Sequence, residues 1–384
     1  MASPSYNLLY VMISLCVTVT FVFPFSCNGA ENYFFILGDS LFDAGNNQYI
    51  SPNRYIPAFH LPYGRTYFPL QPTGRYSDGR LAPDFIASKL NLPFMPPILK
   101  PGADFTHGAN FASAGATATV NVTNTMIFGK QVQLFKELVV NWTNILGIDE
   151  AKRRLGKAVY LISIGGNDYF RHSNSNSNDT IPEQQEYVDK VIETIFQGIQ
   201  EIYNGGGRKF MFQNVGPLGC VPMSKQTSDV IDEACAGLPL TLAILHNNAL
   251  VKKLKTLTSE NSWPGFVFSA FDFFTAVGNR IKDPTTYGFK YGDVACCGTG
   301  SHRGSGCGSL TQVYELCFNP SEYVYFDGGH TTEAVYSQLA DIMWSGGPEV
   351  LSVPLSYLFE VEVEVEVKAK AKPLVWGPFD DSEL

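Results

Sequence analysis

Short apolar runs alternate with longer amphipathic stretches along most of the chain. The short runs are rich in Phe, Val and Ile and predict buried strands, whereas apolar positions that recur every three or four residues predict helices. We expect strands at 33–37, 158–164, 209–214 and 265–268, and helices at 131–145, 183–203, 240–259 and 332–344. Strands that alternate with helices are typical of an α/β fold with a central parallel sheet and helices on both faces.

The first thirty residues differ from the rest, because they contain no charged side chain and run apolar from Leu8 to Phe23. Small residues follow at 28–30, so we predict a signal peptide over 1–29 that is removed on export. An uncleaved anchor is the alternative, since no Lys or Arg precedes the apolar stretch. No later segment has the roughly 18 uninterrupted apolar residues of a membrane helix, so we expect no stable membrane insertion after cleavage.

The other end of the chain is also unusual. Val and Glu alternate strictly over 361–367, and a Lys-Ala repeat follows over 368–372. Alternation favours an edge strand, whereas the low complexity equally favours an extension, a removable propeptide or a vacuolar sorting tail. No Pro- or Ser-rich linker divides the middle of the chain, so we expect one domain over 31–346 and a C-terminal extension over 347–384.

Two short segments far apart in the chain contain a Ser, an Asp and a His in suggestive positions. The first predicted strand ends at Gly38-Asp39-Ser40, and Asp327 and His330 lie three apart near the far end. A Ser hydroxyl is a weak nucleophile at neutral pH until a His accepts its proton, and a carboxylate fixes the tautomer of that His. Each segment alone is ordinarily a turn or a surface pair. Together they predict Ser40, His330 and Asp327 as nucleophile, base and orienting acid.

Two further segments contain suitable donors for the oxyanion of such a reaction. Residues 108–116 are mostly small, so backbone N–H groups can approach a ligand there. Gly165-Gly166-Asn167-Asp168 directly follows the strand predicted at 158–164. Backbone N–H groups and Asn side chains are common oxyanion donors, so we expect both segments at the same site.

These four segments, in this order, resemble the four blocks of the GDSL (SGNH) esterase/lipase family, specifically its secreted plant branch. The resemblance spans roughly 31–346. It implies the flavodoxin-like three-layer fold of SGNH hydrolases, with a central parallel sheet and helices on both faces. Residue by residue, it implies a catalytic triad of Ser40, Asp327 and His330, and an oxyanion hole drawn from Ser40, Ala114, Gly115 and Asn167.

The resemblance implies a carboxylic ester hydrolase that forms an acyl-enzyme on Ser40 and needs no metal or organic cofactor. One alternative is a secreted acyltransferase that passes an acyl group, for example hydroxycinnamoyl, to an alcohol. A second is a non-catalytic associated or binding protein. The partner is expected to be a small or medium-sized soluble ester, since no basic or amphipathic interfacial segment is evident. The oligomeric state is left open.

Cysteines and sequons agree with an export route. Removal of 1–29 leaves six cysteines, an even number that predicts three disulfides; they are Cys220, Cys235, Cys296, Cys297, Cys307 and Cys317. The spacing leaves the pairing open, with Cys220–Cys235 and the last four among themselves as the local choice. A zinc site at Cys296, Cys297, His302 and Cys307 lacks the usual spacing. Sequons at Asn121, Asn141 and Asn178 predict glycosylation of a secreted or vacuolar protein.

The net charge limits the class of partner, and the remaining Asp and His residues are predicted to lie outside the catalytic set. The net charge of −9 argues against nucleic acid as a partner. Asp39 and Asp43 are expected to organise the turn around Ser40, and Asp168 to brace the loop of Asn167. The remaining histidines lack an Asp in the Asp-x-x-His arrangement and are predicted to be structural or solvent-facing: His60, His107, His172, His246 and His302.

Overall fold

The structure, a computed structural model, describes residues 31–68, 71–176, 178–227, 235, 237–260 and 262–363. The predicted signal peptide over 1–29 and the tail from 364 onwards lie outside the described residues. Within these ranges, none of the helices combines the length and the apolar character needed to span a bilayer.

Four of the strands pair in parallel and in chain order in a central sheet, and a short antiparallel strand, β7, joins the edge at β4. A separate two-stranded ribbon consists of β5 and β6. All four predicted strands are present; three shift by one residue at most, whereas β4 begins two residues and ends three residues later than predicted. The strands are β1 (Phe34–Gly38), β2 (Val159–Ser163), β3 (Lys209–Gln213), β4 (Val267–Phe271), β5 (Cys297–Gly298), β6 (Glu315–Leu316) and β7 (Val350–Leu351).

The four predicted helices are confirmed as α3, α6, α8 and α10. The sequence analysis missed the shorter helices, because one to three turns contain too few apolar repeats to show a period. In the described residues the helices are α1 (Asn47–Ile50), α2 (Ala82–Lys89), α3 (Phe128–Leu146), α4 (Ile148–Lys157), α5 (Gly166–Ser175), α6 (Ile181–Asn204), α7 (Pro222–Thr227), α8 (Leu238–Ser259), α9 (Phe273–Lys282), α10 (Glu333–Ser345) and α11 (Leu355–Glu360).

Alternating side chains of the strands build one core on each face of the sheet. Phe35 and Leu37 of β1 pack in a core that includes residues of α3, α6 and α8. Phe34 and Ile36 point to the opposite face, where their core includes residues of α2, α9, α10 and α11. Since neighbouring strand residues face opposite sides, a strand buried on both faces is apolar at most positions. The expected three-layer α/β fold is confirmed.

The segment 107–113 lies along the free edge of β1. Hydrogen bonds run from the Phe34 N–H to the His107 carbonyl (2.8 Å), from the Phe111 N–H to the Ile36 carbonyl (2.7 Å) and from the Ser113 N–H to the Gly38 carbonyl (3.0 Å). With this segment counted, the order across the sheet is 2-1-3-4-5 in chain order. In such open sheets the ligand crevice lies beyond the carboxyl ends of the strands where the order reverses, which here is the end of β1.

The predicted domain boundary at 346 is wrong, because the chain beyond it completes both the sheet and a core. β7 pairs with β4 through Leu351 and Val350. Leu355 and Leu358 of α11 are fully buried in the core that contains Phe34. The folded domain therefore continues at least through α11.

Candidate active site

The structure brings Ser40, His330 and Asp327 into one hydrogen-bonded chain. The Ser40 Oγ lies 2.7 Å from the His330 Nε2, and the His330 Nδ1 lies 2.8 Å from one Asp327 oxygen and 2.9 Å from the other. Asp327 is 6 % exposed, whereas Ser40 and His330 are partly exposed. A hydroxyl that faces an imidazole backed by a buried carboxylate can lose its proton to that imidazole.

A tight turn brings His330 close to Asp327. The Asp327 Oδ1 accepts the backbone N–H groups of Gly329 (2.9 Å) and His330 (2.8 Å), and the Phe326 N–H donates to the His330 carbonyl (2.8 Å). Just beyond the turn, the Thr332 hydroxyl caps the start of α10. The Asp-x-x-His spacing works because the Asp side chain bridges the turn and still contacts the imidazole.

The electrostatics of the pair favour an ionised acid and a basic imidazole. Burial opposes ionisation of Asp327. The facing His330 and the hydrogen bonds that the Asp327 carboxylate accepts outweigh burial, and they hold the pKa of Asp327 below its ordinary value. Burial would lower the pKa of His330, but Asp327 outweighs burial and raises that pKa above its usual value. The nearby Asp39 carboxylate acts in the same direction.

The turn that carries Ser40 is held from both sides. The Asp39 Oδ1 accepts the Leu41 N–H at 3.1 Å, as predicted for an organising Asp. On the other side, the buried side chain of Gln131 accepts the Gly38 N–H (2.9 Å) and donates to the Gly38 carbonyl (2.8 Å). Sequence analysis missed Gln131, because nothing in a helix of ordinary composition shows which side chain faces a loop 93 residues away.

Asp43 joins the first and second blocks, and this corrects one predicted oxyanion donor. The fully buried Asp43 carboxylate accepts the N–H groups of Gly45 (2.7 Å), Asn46 (2.8 Å) and Ala114 (2.8 Å). The amide of Ala114 is therefore already engaged and cannot also donate to a substrate. Its contribution is structural, because it fixes the loop that leads into Gly115.

Three donors remain around the Ser40 hydroxyl. Among the described residues, neither the Ser40 N–H nor the Gly115 N–H has a hydrogen-bond partner. Gly115 directly follows Ala114, and its φ of +84° is a backbone conformation that favours glycine. The Asn167 Nδ2 donates one hydrogen to the Ala116 carbonyl at 3.0 Å, which leaves its second hydrogen available. All three residues line the same cavity.

Asp168 braces the loop beside Asn167. Its fully buried carboxylate accepts the Ala118 N–H (2.8 Å), the Thr119 N–H (3.0 Å) and the Thr119 hydroxyl (2.7 Å). Burial nevertheless raises the pKa of Asp168 above its ordinary value. These bonds tie the start of α5 to the segment after Gly115, so Asn167 and Gly115 are held in place relative to each other.

The structure also reveals a partner of Asp327 that the sequence did not. The Tyr63 hydroxyl, on a buried side chain, donates to the Asp327 Oδ2 at 2.8 Å. The ring of Tyr76 contacts Tyr63 and lies against the imidazole of His330, with ring centroids 4.8 Å apart. The two residues of the hydrogen bond are 264 positions apart, and no local motif marks Tyr63.

A cavity of about 790 Å³ opens over Ser40. Its apolar walls include Ile56, Phe170, Leu218 and Phe273. All six histidines of the chain lie in described residues, and His330 alone among them lines this cavity. Ser40, Gly115 and Asn167 thus line one chamber that is large enough for a drug-sized ligand.

The other histidines have structural contacts. The His246 Nδ1 lies 2.6 Å from the Tyr169 hydroxyl, and burial lowers the pKa of His246 to about 3. His107 faces the Asn32 carbonyl and His60 stacks on Tyr55. His172 does have a carboxylate partner, the Asp179 Oδ2 at 2.6 Å, which lies seven residues on and escapes the Asp-x-x-His pattern.

The six cysteines form the three expected disulfides: Cys220–Cys235, Cys296–Cys317 and Cys297–Cys307. The cysteines considered for zinc are therefore all oxidised, and His302 contacts Ser301 instead. The Cys296 and Cys297 N–H groups donate to the carbonyls of Tyr325 and Phe326. Two disulfides thus anchor the loop that packs on the segment leading into Asp327.

The three predicted glycosylation sites have exposed Asn side chains. Asn141 lies in α3, and Asn178 lies between α5 and α6. Asn121 also lines the cavity over Ser40, on the segment 121–125. A glycan at Asn121 would border the substrate entrance.

Comparison with known proteins finds a matching family and several plant relatives. The family model described as GDSL-like Lipase/Acylhydrolase matches residues 34–343. An Arabidopsis thaliana protein named inactive GDSL esterase/lipase-like protein 25 is 43 % identical over 83 % of this chain and 72 % of its own length. GDSL esterase/lipase 5 of Arabidopsis thaliana is 42 % identical over 84 % of this chain and 85 % of its own. A GDSL lipase of Tanacetum cinerariifolium is 41 % identical over 94 % and 96 %.

The matched family model covers well over half of the chain, and the relatives align along most of their own length. The resemblance of the four sequence blocks leads to the same family, and the order of the sheet is compatible with it. The chain belongs to the GDSL-like lipase/acylhydrolase family, with plant relatives, and is an enzyme that hydrolyses ester bonds.

Proposed function

We propose that this protein hydrolyses carboxylic esters through an acyl-enzyme formed on Ser40. The observation that carries the proposal is the unbroken chain from the Ser40 Oγ through His330 to the Asp327 carboxylate, with contacts of 2.7, 2.8 and 2.9 Å. Both the accessible hydroxyl and the buried acid suit these roles.

In the first half of the reaction His330 accepts the Ser40 proton at Nε2 while the Ser40 oxygen attacks the ester carbonyl. Asp327 holds the Nδ1–H tautomer and stabilises the imidazolium that forms. The tetrahedral intermediate then collapses, the bond to the alcohol oxygen breaks, and His330 returns the proton to the leaving alcohol. In the second half His330 activates water, which releases the acid and restores Ser40.

The negative charge of both tetrahedral intermediates falls to three donors, the N–H groups of Ser40 and Gly115 and the Asn167 side chain. Their support is that none of these hydrogens is fully engaged among the described residues and that all face one cavity. Preorganised donors of this kind need no rearrangement during the reaction, which is why they contribute strongly to rate.

We propose small or medium-sized soluble esters as substrates, and a secreted or vacuolar, glycosylated protein. The three disulfides support an oxidising route, and the exposure of Asn121, Asn141 and Asn178 suits glycosylation. Net charge and composition continue to disfavour nucleic acid as a partner.

Two alternatives share this site. An alcohol in place of water would make the protein an acyltransferase with the same acyl-enzyme. The other alternative is a non-catalytic role, and a relative that is 43 % identical to this chain has the word inactive in its name. The hydrogen-bonded Ser40, His330 and Asp327 support catalysis over that role.

The test measures product formation by the glycosylated protein from short-chain and hydroxycinnamoyl esters, with and without an added alcohol, alongside Ser40→Ala. Free acid that depends on Ser40 supports the proposal. Asn167→Ala should lower turnover by roughly 10²–10³-fold, the typical loss for one oxyanion donor. Transfer to the alcohol with little free acid would favour the acyltransferase. No product, together with a Ser40 that does not react with a fluorophosphonate, would favour a binding role.

A further inference from the structure

We propose that the cavity over Ser40 binds the negatively charged group of an anionic ester through Arg54 and Arg171. This inference rests on the hydrolase function proposed above and narrows its substrate class. Both arginines line the cavity, and both side chains are exposed.

Neither arginine has a partner within the described residues. No hydrogen bond, ion pair or ring contact involves the guanidinium of Arg54 or of Arg171 there. The other arginines that carry ion pairs, such as Arg75 with Asp84 and Arg80 with Glu333, are satisfied by neighbouring carboxylates. An exposed guanidinium at a cavity wall is free to form two parallel bonds to a carboxylate or phosphate.

The exposed charges of the cavity are opposite in sign to the net charge of the protein. The chain has 36 acidic residues against 27 basic ones, yet the acidic residues that line the cavity are only Asp39 and Asp327, within the described chain. Both are buried, and Asp327 is committed to His330 and Tyr63. The exposed charges that a substrate meets here are therefore those of Arg54 and Arg171. They are positive, although the net charge of the protein is negative.

The placement of each arginine relates it to the reacting groups. Arg171 follows Asn167 by four residues on α5, so both side chains lie on one face of that helix, about 6 Å apart along its axis. Arg54 lies close enough to Tyr76 for its charge to oppose the rise of the Tyr76 pKa that burial causes, and Tyr76 packs on His330. A charged group attached to the ester would reach an arginine while the carbonyl occupies the oxyanion site.

The experiment compares matched anionic and neutral esters. Mono-4-nitrophenyl glutarate against 4-nitrophenyl pentanoate places the charge on the acyl side, and 4-(butyryloxy)benzoate against its methyl ester places it on the alcohol side. We expect at least one anionic ester to have the higher kcat/KM of its pair. Arg54→Gln or Arg171→Gln should lower that anionic-to-neutral ratio by about two- to fivefold, the upper part of the range for an exposed charged contact.

Arg153→Gln is the matched control, because Arg153 is a partly exposed arginine on α4 outside the cavity lining and should leave the ratio as in the wild type. The ratio should also shrink as ionic strength rises. Anionic esters that do no better than their neutral partners, or a ratio that both arginine variants leave intact, would overturn the inference. Neutral-ester turnover that survives Ser40→Ala would instead overturn the proposed function itself, so the two failures are distinguishable.

Discussion

Replacing Tyr63 with Phe tests whether the hydroxyl that contacts Asp327 tunes the triad. The change removes one donor from a buried carboxylate and leaves the ring that packs on Phe326 and Tyr76. We expect Tyr63 to act as a positioning residue through Asp327. The variant should keep the fold but alter both the acidity of His330 and the stability of the ionised acid.

The magnitude follows from the single bond lost. A hydrogen bond to a charged group contributes about 1.5–3 kcal/mol, and one pKa unit corresponds to about 1.4 kcal/mol. Without Tyr63, Asp327 is a stronger base and stabilises the imidazolium more. Only part of the lost free energy should affect His330, because the remaining donors to Asp327 still stabilise the carboxylate. We expect the pKa of His330 to rise by roughly 0.5–1 unit.

The assay is the pH dependence of kcat/KM on a neutral ester. Since His330 must be neutral to accept the Ser40 proton, the acid limb of the profile should move to higher pH in Tyr63→Phe. Tyr76→Phe is the control, because it also removes a hydroxyl from the cavity wall but keeps the ring against His330. The control should leave the acid limb close to that of the wild type.

Stability provides the second measurement. The pKa of Asp327 is depressed in the folded protein, so its contribution is present above the ordinary carboxyl pKa and is lost as pH falls through the folded value. Tyr63→Phe should therefore be destabilised by about 1.5–3 kcal/mol at neutral pH, and the deficit should narrow in acid. An acid limb that stays in place, together with a deficit that does not depend on pH, would refute the proposed link between Tyr63 and the triad.

Three further outcomes are expected. Leu358→Ala should lower the free energy of unfolding by about 2–5 kcal/mol in a urea titration, since Leu358 is fully buried in α11; a loss under about 0.5 kcal/mol would mean that α11 does not belong to the core. Gly115→Ala should lower kcat at least tenfold with little change in KM, because φ is +84° there and a shifted backbone misplaces the N–H, and unchanged kcat would remove Gly115 from the oxyanion site. The wild-type kcat/KM should fall to half on the acid side at a pH above 6.5, because Asp327 raises the pKa of His330 despite burial, and a midpoint below 6.5 would contradict that balance.

The strands and the residue types of the site could be read from the sequence. A strand buried on both faces is apolar at most positions, which is why β1 to β4 were recognisable from runs such as Phe34–Gly38. Ser40 and Asn167 were recognisable because they directly follow such strands, and His330 because Asp327 lies three residues before it. These signals depend only on neighbours along the chain.

The engagement of the Ala114 amide, the Tyr63 contact and the true end of the domain were decided by tertiary structure. The Asp43 bond to Ala114 joins positions 71 apart, and the Tyr63 bond to Asp327 joins positions 264 apart. The two leucines of α11 are buried only because β7 returns the chain to the sheet beside β4. Contacts of this kind depend on which loops the sheet order brings together, and no local pattern of apolar and polar residues encodes that order.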